Sequence, residues 1–207
     1  MIRIVTFERE YGSGAAAIAA NVAEQLGWKL WDQLLTDQIA RHLRCDQRHV
    51  EQHEERRDPL HYRLFKSFLR GSFEGNLASA RGVQLADAES IRQVSEKLVR
   101  GIADEGNAVI VGRGSAYYLH ERADAFHVFV YGPFEEKVRR IQRQGKSEKE
   151  AIELVQTVDH DRADFIKQTF EVDWPQRQYF DLMVNSVVGE ETAGRIILNA
   201  LDAMNRE

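Results

Sequence analysis

The chain has 207 residues, enough for one α/β domain with an insertion. Its 43% apolar and 29% charged content is an ordinary globular balance, and a formal net charge of −5 argues against duplex nucleic acid or an anionic membrane as the main partner. The single cysteine, Cys45, excludes an intramolecular disulfide and a multi-cysteine metal site, and no apolar run approaches the roughly 18 residues of a membrane span, so a cytoplasmic location is expected.

Ile2, Ile4, Val5 and Phe7 predict a strand over 2–7. Gly12, Ser13 and Gly14 then permit a tight turn. Ile18, Val22 and Leu26 recur at helical spacing over about 14–26, and Gly27 stops that helix. A Gly-rich turn feeding a helix aims free backbone N–H groups and the positive end of the dipole at one point, where a phosphate fits. Set against the pattern G-x-x-x-x-G-K-[ST], Gly14 is the second glycine and Arg9 stands at the first. Ala15 falls at the lysine and Ala16 at the hydroxyl residue, and the first lysine of the chain is Lys29. The architecture is that of a phosphate-binding loop without its lysine. A plain strand–turn–helix unit of an α/β fold is the alternative. Both alanines fall in the first helical turn, where Lys and Ser are expected to be tolerated.

WKLW at 28–31 reads as a second short strand and 33–43 as a helix. Residues 45–86 break the alternation and read as a helical insertion. Phe65, Phe68, Leu69 and Phe73 share one helical face there, as core or as a homodimer surface. A helix is expected at 87–105, then a strand AVIVG at 108–112 and another, FHVFVY, at 126–131. These two are near-continuous apolar runs, as in strands covered on both faces. Helices follow at 134–144 and 147–170, the latter opened by a Ser147/Glu150 capping box. DLMVN at 181–185 is the fifth strand and 190–204 the last helix. Strands alternating with helices imply a parallel sheet with helices on both faces, a three-layer α/β/α fold.

Ligands of such sheets sit beyond the carboxyl ends of the strands. Those ends carry the Gly-rich loop, Asp32, Gly112-Arg113-Gly114-Ser115, Gly132-Pro133 and Asn185-Ser186. Arg113, between two glycines, suits a bidentate grip on phosphate, with a structural ion pair to Asp32 or Asp37 as the alternative. Arg139, Arg140 and Arg143, and Arg162 within DHDRAD, suit charge stabilisation of a transferring phosphoryl group; a solvated helix face is the alternative. There are 21 arginines against 7 lysines, a bias that suits anion clamping or reflects genome composition. The histidines show no zinc spacing, no metal-ligand set is expected, and Ser13 and Ser115 lack a His/Asp partner in sequence.

EREYGSG, WKLWDQLL, VIVGRGSAYYL, FHVFVYGPFEEKVRRI and TVDHDRADF, in this order, resemble the cytidylate kinase-like proteins of the P-loop nucleoside monophosphate kinase fold. The resemblance spans Ile2 to about Asn199. It implies a five-stranded parallel sheet of order 2-3-1-4-5, a helical monophosphate-binding insertion at about 45–86 and a lid-like region at about 139–162, within one domain over 1–207. It further implies ATP and Mg²⁺ as cofactors and CMP or dCMP as acceptor. Arg9, Tyr11, Gly12, Ser13, Gly14, Ala15 and Ala16 would line the ATP phosphates, and Asp32 and Arg113 would face the acceptor. Arg139, Arg140, Asp161 and Arg162 would be the catalytic lid residues. Departures from the family are Ala15 and Ala16, and Gly112-Arg113-Gly114 where Gly-Arg-Asp is usual. Arg9 is the nearest cation in sequence to stand in for the lysine. A nucleotide-binding regulatory module and a kinase for another small acceptor are the competing functions.

Overall fold

A computed structural model describes residues 1–32, 34, 35, 38, 39, 42 and 88–206. Strands β1 (Ile4–Arg9), β2 (Lys29–Trp31), β3 (Ala108–Val111), β4 (Ala125–Tyr131) and β5 (Leu182–Asn185) form one sheet in the order β2-β3-β1-β4-β5. Every neighbouring pair is parallel. This is the order that the resemblance implies; the parallel pairing itself follows from the alternation of strand and helix, since a parallel partner requires a crossover.

β1 lies centrally and all six of its residues are buried. It runs past the expected end at Phe7. Glu8 and Arg9 stay in register with Phe129 and Val130 of β4, and Glu10 N–H donates to Val130 O at 3.0 Å. Hydropathy ends the strand at the first charge; backbone pairing with β4 carries it further, past the last partner on β3 at Phe7, and sets two charged side chains at the carboxyl rim.

The pleat divides the core. Val5, Phe7, Val109, Val111, Val128 and Val130 face one side, under α1 (Ala15–Leu26) and α6 (Glu190–Met204), which contribute Ile18, Val22, Ile197 and Leu201. Ile4 and Ile110 face the other side, under α2 (Ala88–Glu105) and the short α3 (Ser115–Tyr118), with Val99, Ile102 and Leu119. The result is three layers. Leu34, Leu35, Gln38, Ile39 and His42 are helical where 33–43 was expected, and Leu35 and Ile39 join the α2 side of the core. α1 ends as its glycine requires, at Gly27 with φ 65°, and Trp28 N–H closes on Ala23 O at 2.9 Å.

α4 (Phe134–Arg143) and α5 (Glu148–Phe170) form a hairpin with its own small core. Val138, Ile141, Ala151, Val155 and Val158 pack around Tyr11 of the Gly-rich loop. The capping box that opens α5 is present: Glu150 N–H donates to Ser147 Oγ and Ser147 N–H to Glu150 Oε2. α3 was not expected; four residues after Gly114 are too few for periodicity to register. The insertion expected at 45–86, its Phe65–Phe73 face and Cys45 lie outside the described residues. None of the described helices is long and apolar enough to cross a membrane.

Candidate functional site

The Gly-rich loop leaves β1 and enters α1 at the carboxyl rim of the sheet. Gly12 and Gly14 have φ of 75° and 80°, a region open to glycine at little cost. Gly12 is also needed for space, because a Cβ there would lie 3.0 Å from Lys137 O. Gly14 caps α1 without any side-chain hydrogen bond. The first-turn N–H groups are therefore free to meet a ligand. Ser13 Oγ is buried and has no hydrogen-bond partner among the described residues. Ala15 is 2% exposed and belongs to the α1 side of the core, whereas Ala16 is exposed. The expectation that a lysine fits at residue 15 as readily as in any first turn is corrected by this packing.

Side chains of the α4–α5 hairpin grip the loop. Arg140 Nη1 donates to Gly12 O at 2.7 Å, and Arg162 Nη1 donates to Arg9 O at 2.9 Å. Lys137 Nζ donates to Glu10 Oε2 at 2.9 Å and to Asp159 Oδ2 at 3.1 Å. Tyr11 N–H donates to Asp159 Oδ1 at 2.6 Å. The Arg140 guanidinium also faces Glu190 at the start of α6, Nε to Oε1 being 3.5 Å. Both lie over Gly14, where a Cβ would be 2.8 Å from the Glu190 oxygen and 3.1 Å from the guanidinium.

A second group of charges lies beside the loop, beyond β1 and β3. Arg113 is buried with φ 61°, between Gly112 and Gly114 at φ 70° each. A non-glycine residue held there stores strain of order 1 kcal/mol or more. The Arg9 guanidinium lies across Gly112, where a Cβ would collide with its Nη1. Burial first, then the like charge of Arg9, pulls the Arg113 guanidinium down to about 9, with Arg162 adding to this and Asp32 and Glu8 opposing it. Burial, then Arg9, likewise pulls Arg162 down to about 10, against Asp159 and Glu8. Glu8 is pushed up by burial, although Arg9, Arg162 and Arg113 counteract, and it accepts the Gly114 N–H. Its Oε1 has no hydrogen-bond partner among the described residues. Tyr117 is pushed up by burial and by the Glu8 charge, and its ring stacks on Phe170 at 5.0 Å.

Arg9, Asp32, Arg113 and Arg162 thus interact in one place, and Tyr11 to Ala16 with Arg140 form an adjoining one. Arg9 lies toward Arg113, across β3, and it is Arg140 that lies over Gly14. Arg139 is not brought to the loop: its side chain is 57% exposed and pairs with Glu136 on the outer face of α4. Asp161 is half-buried on α5, and Asp159, two residues earlier, is the carboxylate that touches the loop. Glu8, Glu10, Lys137, Asp159 and Glu190 were missed. Glu8 and Glu10 were legible as charges flanking Arg9 at the end of an apolar strand, since buried charge demands a partner. Lys137 shares a helical face with Arg140 by its spacing. Nothing local marks Asp159 or Glu190.

Among the described residues no group of three or more His, Cys, Asp or Glu is placed to hold a metal ion. The loop fits the phosphates of a nucleotide through its amides. It does not fit Mg²⁺ through a side chain, because Ala16 stands where the hydroxyl would be.

A parallel sheet of order 2-3-1-4-5 with a Gly-rich loop between β1 and α1 defines the P-loop kinase class of fold. The chain belongs to the cytidylate kinase-like family, whose sequence model matches residues 4–187. Among solved structures it is similar to an uncharacterized protein from Eubacterium ventriosum ATCC 27560, at 21% identity and a TM-score of 0.69 over 98% of this chain and 99% of that one. It is also similar to a sugar kinase from Janibacter sp. HTCC2649, at 18% identity and a TM-score of 0.53 over 98% and 95%. For shikimate kinase from Bacteroides thetaiotaomicron the values are 16% and 0.50 over 97% and 98%. These likenesses establish the fold. No curated protein sequence matches the chain.

Proposed function

We infer that this protein transfers a phosphoryl group from ATP to a nucleoside monophosphate, with CMP or dCMP as the acceptor that family membership favours. The observation that carries the reading is Arg113: a charged side chain buried at the end of β3 and strained, with Arg9 and Arg162 disfavouring its charge and Asp32 and Glu8 opposing them. An acceptor phosphate adds a bidentate anion to this cluster.

In this reading the amides and small side chains of Gly12 to Ala16 receive the donor phosphates, and Arg140 lies over them from α4. Arg9 and Tyr11 shape the loop from behind. Arg113 and Arg9 hold the acceptor phosphate, with Asp32 facing the acceptor. Residues 139–162 act as the lid, through Arg140, Arg162 and Asp161, and residues 45–86 cover the acceptor. When bound with the nucleotide, Mg²⁺ supplies charge neutralisation of the polyphosphate; this chain contributes no loop hydroxyl to it. The acceptor nucleophile is an oxygen already ionised, so positioning and charge compensation are the tasks left to the protein. Its partners are nucleotides, not nucleic acid or membrane, and its location the cytoplasm.

A second reading, a nucleotide-binding regulatory module without transfer, is favoured by Ala15 and Ala16. ADP release with CMP, dCMP, UMP, AMP and small alcohols as acceptors, beside ATP calorimetry, separates the two. Transfer to CMP supports the kinase. ATP binding with no transfer to any acceptor supports the module, and transfer to alcohols alone gives a kinase of another acceptor class.

A further inference from the structure

Asp159 is the carboxylate that the Gly-rich loop holds by its backbone. Its Oδ1 accepts from Tyr11 N–H at 2.6 Å and from Arg162 Nη1 at 3.3 Å, and its Oδ2 accepts from Lys137 Nζ at 3.1 Å. The Lys137 side chain is 9% exposed, Arg162 12% and Asp159 16%. Lys137 also reaches Glu10, and Arg162 also donates to Arg9 O. A backbone N–H of a Gly-rich turn, an ammonium and a guanidinium therefore converge on the two oxygens of one anion. These are the donors with which proteins bind phosphate. Clamping the hairpin to the loop does not require them, because Tyr11 already anchors it through Val138, Ile141, Val155 and Val158. Asp is also a poor residue for the middle of a 23-residue helix.

We propose that Tyr11 N–H, Lys137 and Arg162 form a subsite for a terminal phosphate group, in which Lys137 supplies the ammonium missing from residue 15 and Asp159 is the internal anion that a phosphate displaces. The identity of the ligand as a nucleotide rests on the kinase reading above; the subsite itself does not. The ammonium comes from α4 and not from α1. Binding exchanges one anion for another within an existing set of donors, so the cations need no new counter-charge. The protein's own carboxylate competes with every ligand, and affinity is set by that competition.

Asp159→Asn keeps an oxygen to accept the Tyr11 N–H and removes the competing charge. Titration calorimetry with inorganic pyrophosphate, on the full chain, is expected to show binding at least about tenfold tighter in Asp159→Asn than in the natural protein. The double variant Asp159→Asn/Lys137→Met is expected to lose that gain. Unchanged pyrophosphate affinity in a folded Asp159→Asn variant overturns the subsite. If Asp159→Asn does not fold, Lys137→Met in the otherwise natural chain decides: lost pyrophosphate binding with intact circular dichroism supports the subsite, and unchanged binding overturns it. ATP is titrated in parallel. Pyrophosphate binding that responds to Asp159→Asn, with no ATP binding in either protein, upholds the subsite and overturns the kinase reading. ATP turnover with a pyrophosphate affinity indifferent to Asp159 overturns the subsite alone.

Discussion

Arg113 carries opposing demands in one side chain. Its backbone sits at φ 61° and its charge is buried beside Arg9 and Arg162, so folding disfavours the charged form that a ligand would favour. Arg113→Met is therefore expected to weaken acceptor binding by about tenfold to a hundredfold, the worth of a charged hydrogen bond, with little change in melting temperature. Calorimetry and a thermal melt check both halves; a collapse of the fold would mark Arg113 as an ion-pair partner of Asp32 and Glu8. The sign of the pH dependence follows from the same shift. Burial and Arg9 lower the Arg113 guanidinium to about 9 in the absence of ligand, while a bound phosphate favours its charged form. Affinity for the monophosphate should be level from about pH 7, where the phosphate is a dianion, up to that value and fall as pH rises through it, and Arg113→Met should remove this alkaline step. At residue 15 the packing decides. Ala15 is 2% exposed among the α1 core residues, so Ala15→Lys is expected to cost about 1–3 kcal/mol by overpacking. Ala16→Ser, on the exposed side, should stay within about 0.5 kcal/mol. Urea denaturation of the two single variants measures the difference.

At the scale of elements, β1 and β4 are joined by more than their ladder. Thr6 Oγ1 and His127 Nδ1 share a hydrogen bond of 2.7 Å, and His127 N–H donates to Asp181 Oδ2, also at 2.7 Å. Burial pushes the His127 imidazole below its ordinary 6.5, against the Asp181 charge. The folded state then binds fewer protons than the unfolded one near that value. Stability is complete above 6.5 and falls as pH drops below it. Glu8, pushed up by burial, works in the opposite sense, so the comparison must isolate the histidine. Denaturation midpoints at about pH 7.5 and about pH 5.5 should differ less in His127→Gln than in the natural protein; an equal fall in both would assign the acid sensitivity elsewhere. The α4–α5 hairpin is the other element whose placement matters. Its bond to the loop runs through the ring of Tyr11, 7% exposed, and the Arg162 guanidinium lies 5.9 Å above that ring. Tyr11→Ala should cost about 3–5 kcal/mol if the ring is a full core member, and should weaken pyrophosphate binding as Lys137 and Arg162 lose their positions. Normal binding in a destabilised Tyr11→Ala protein would separate packing from recognition.

Across the whole molecule, the cations of the site are matched by the chain's own acids. Arg9, Arg113 and Arg162 interact with Glu8 and Asp32; Lys137 pairs with Glu10 and Asp159, and Arg140 with Glu190. The arginine-rich rim is therefore close to neutral before a ligand binds, and a phosphate gains by replacing a carboxylate more than by meeting a bare positive field. Salt should weaken binding only modestly, since these pairs are partly buried.

The amino-acid sequence alone determined the succession of strands and helices, their parallel pairing, and the rim where the Gly-rich loop and Arg113 sit. These follow from local periodicity and turn chemistry, which act over a few residues; the strand order within the sheet came from the resemblance to a family. Arg113 was legible because glycines bracket it at the end of an apolar run; Lys137 was marked only by its spacing from Arg140, and Asp159 not at all, because solvated helix faces carry the same residue types. The tertiary structure alone decided which long side chain meets which backbone group: Asp159 lies 148 residues from the Tyr11 N–H it accepts, and Arg140 lies 128 from the Gly12 carbonyl it reaches. It also decided that Arg9 turns toward Gly112, that Arg139 stays in solvent, and that residue 15 is core. Such choices depend on the packing of the α4–α5 hairpin against the loop, and no pattern within either segment encodes the register in which the two meet.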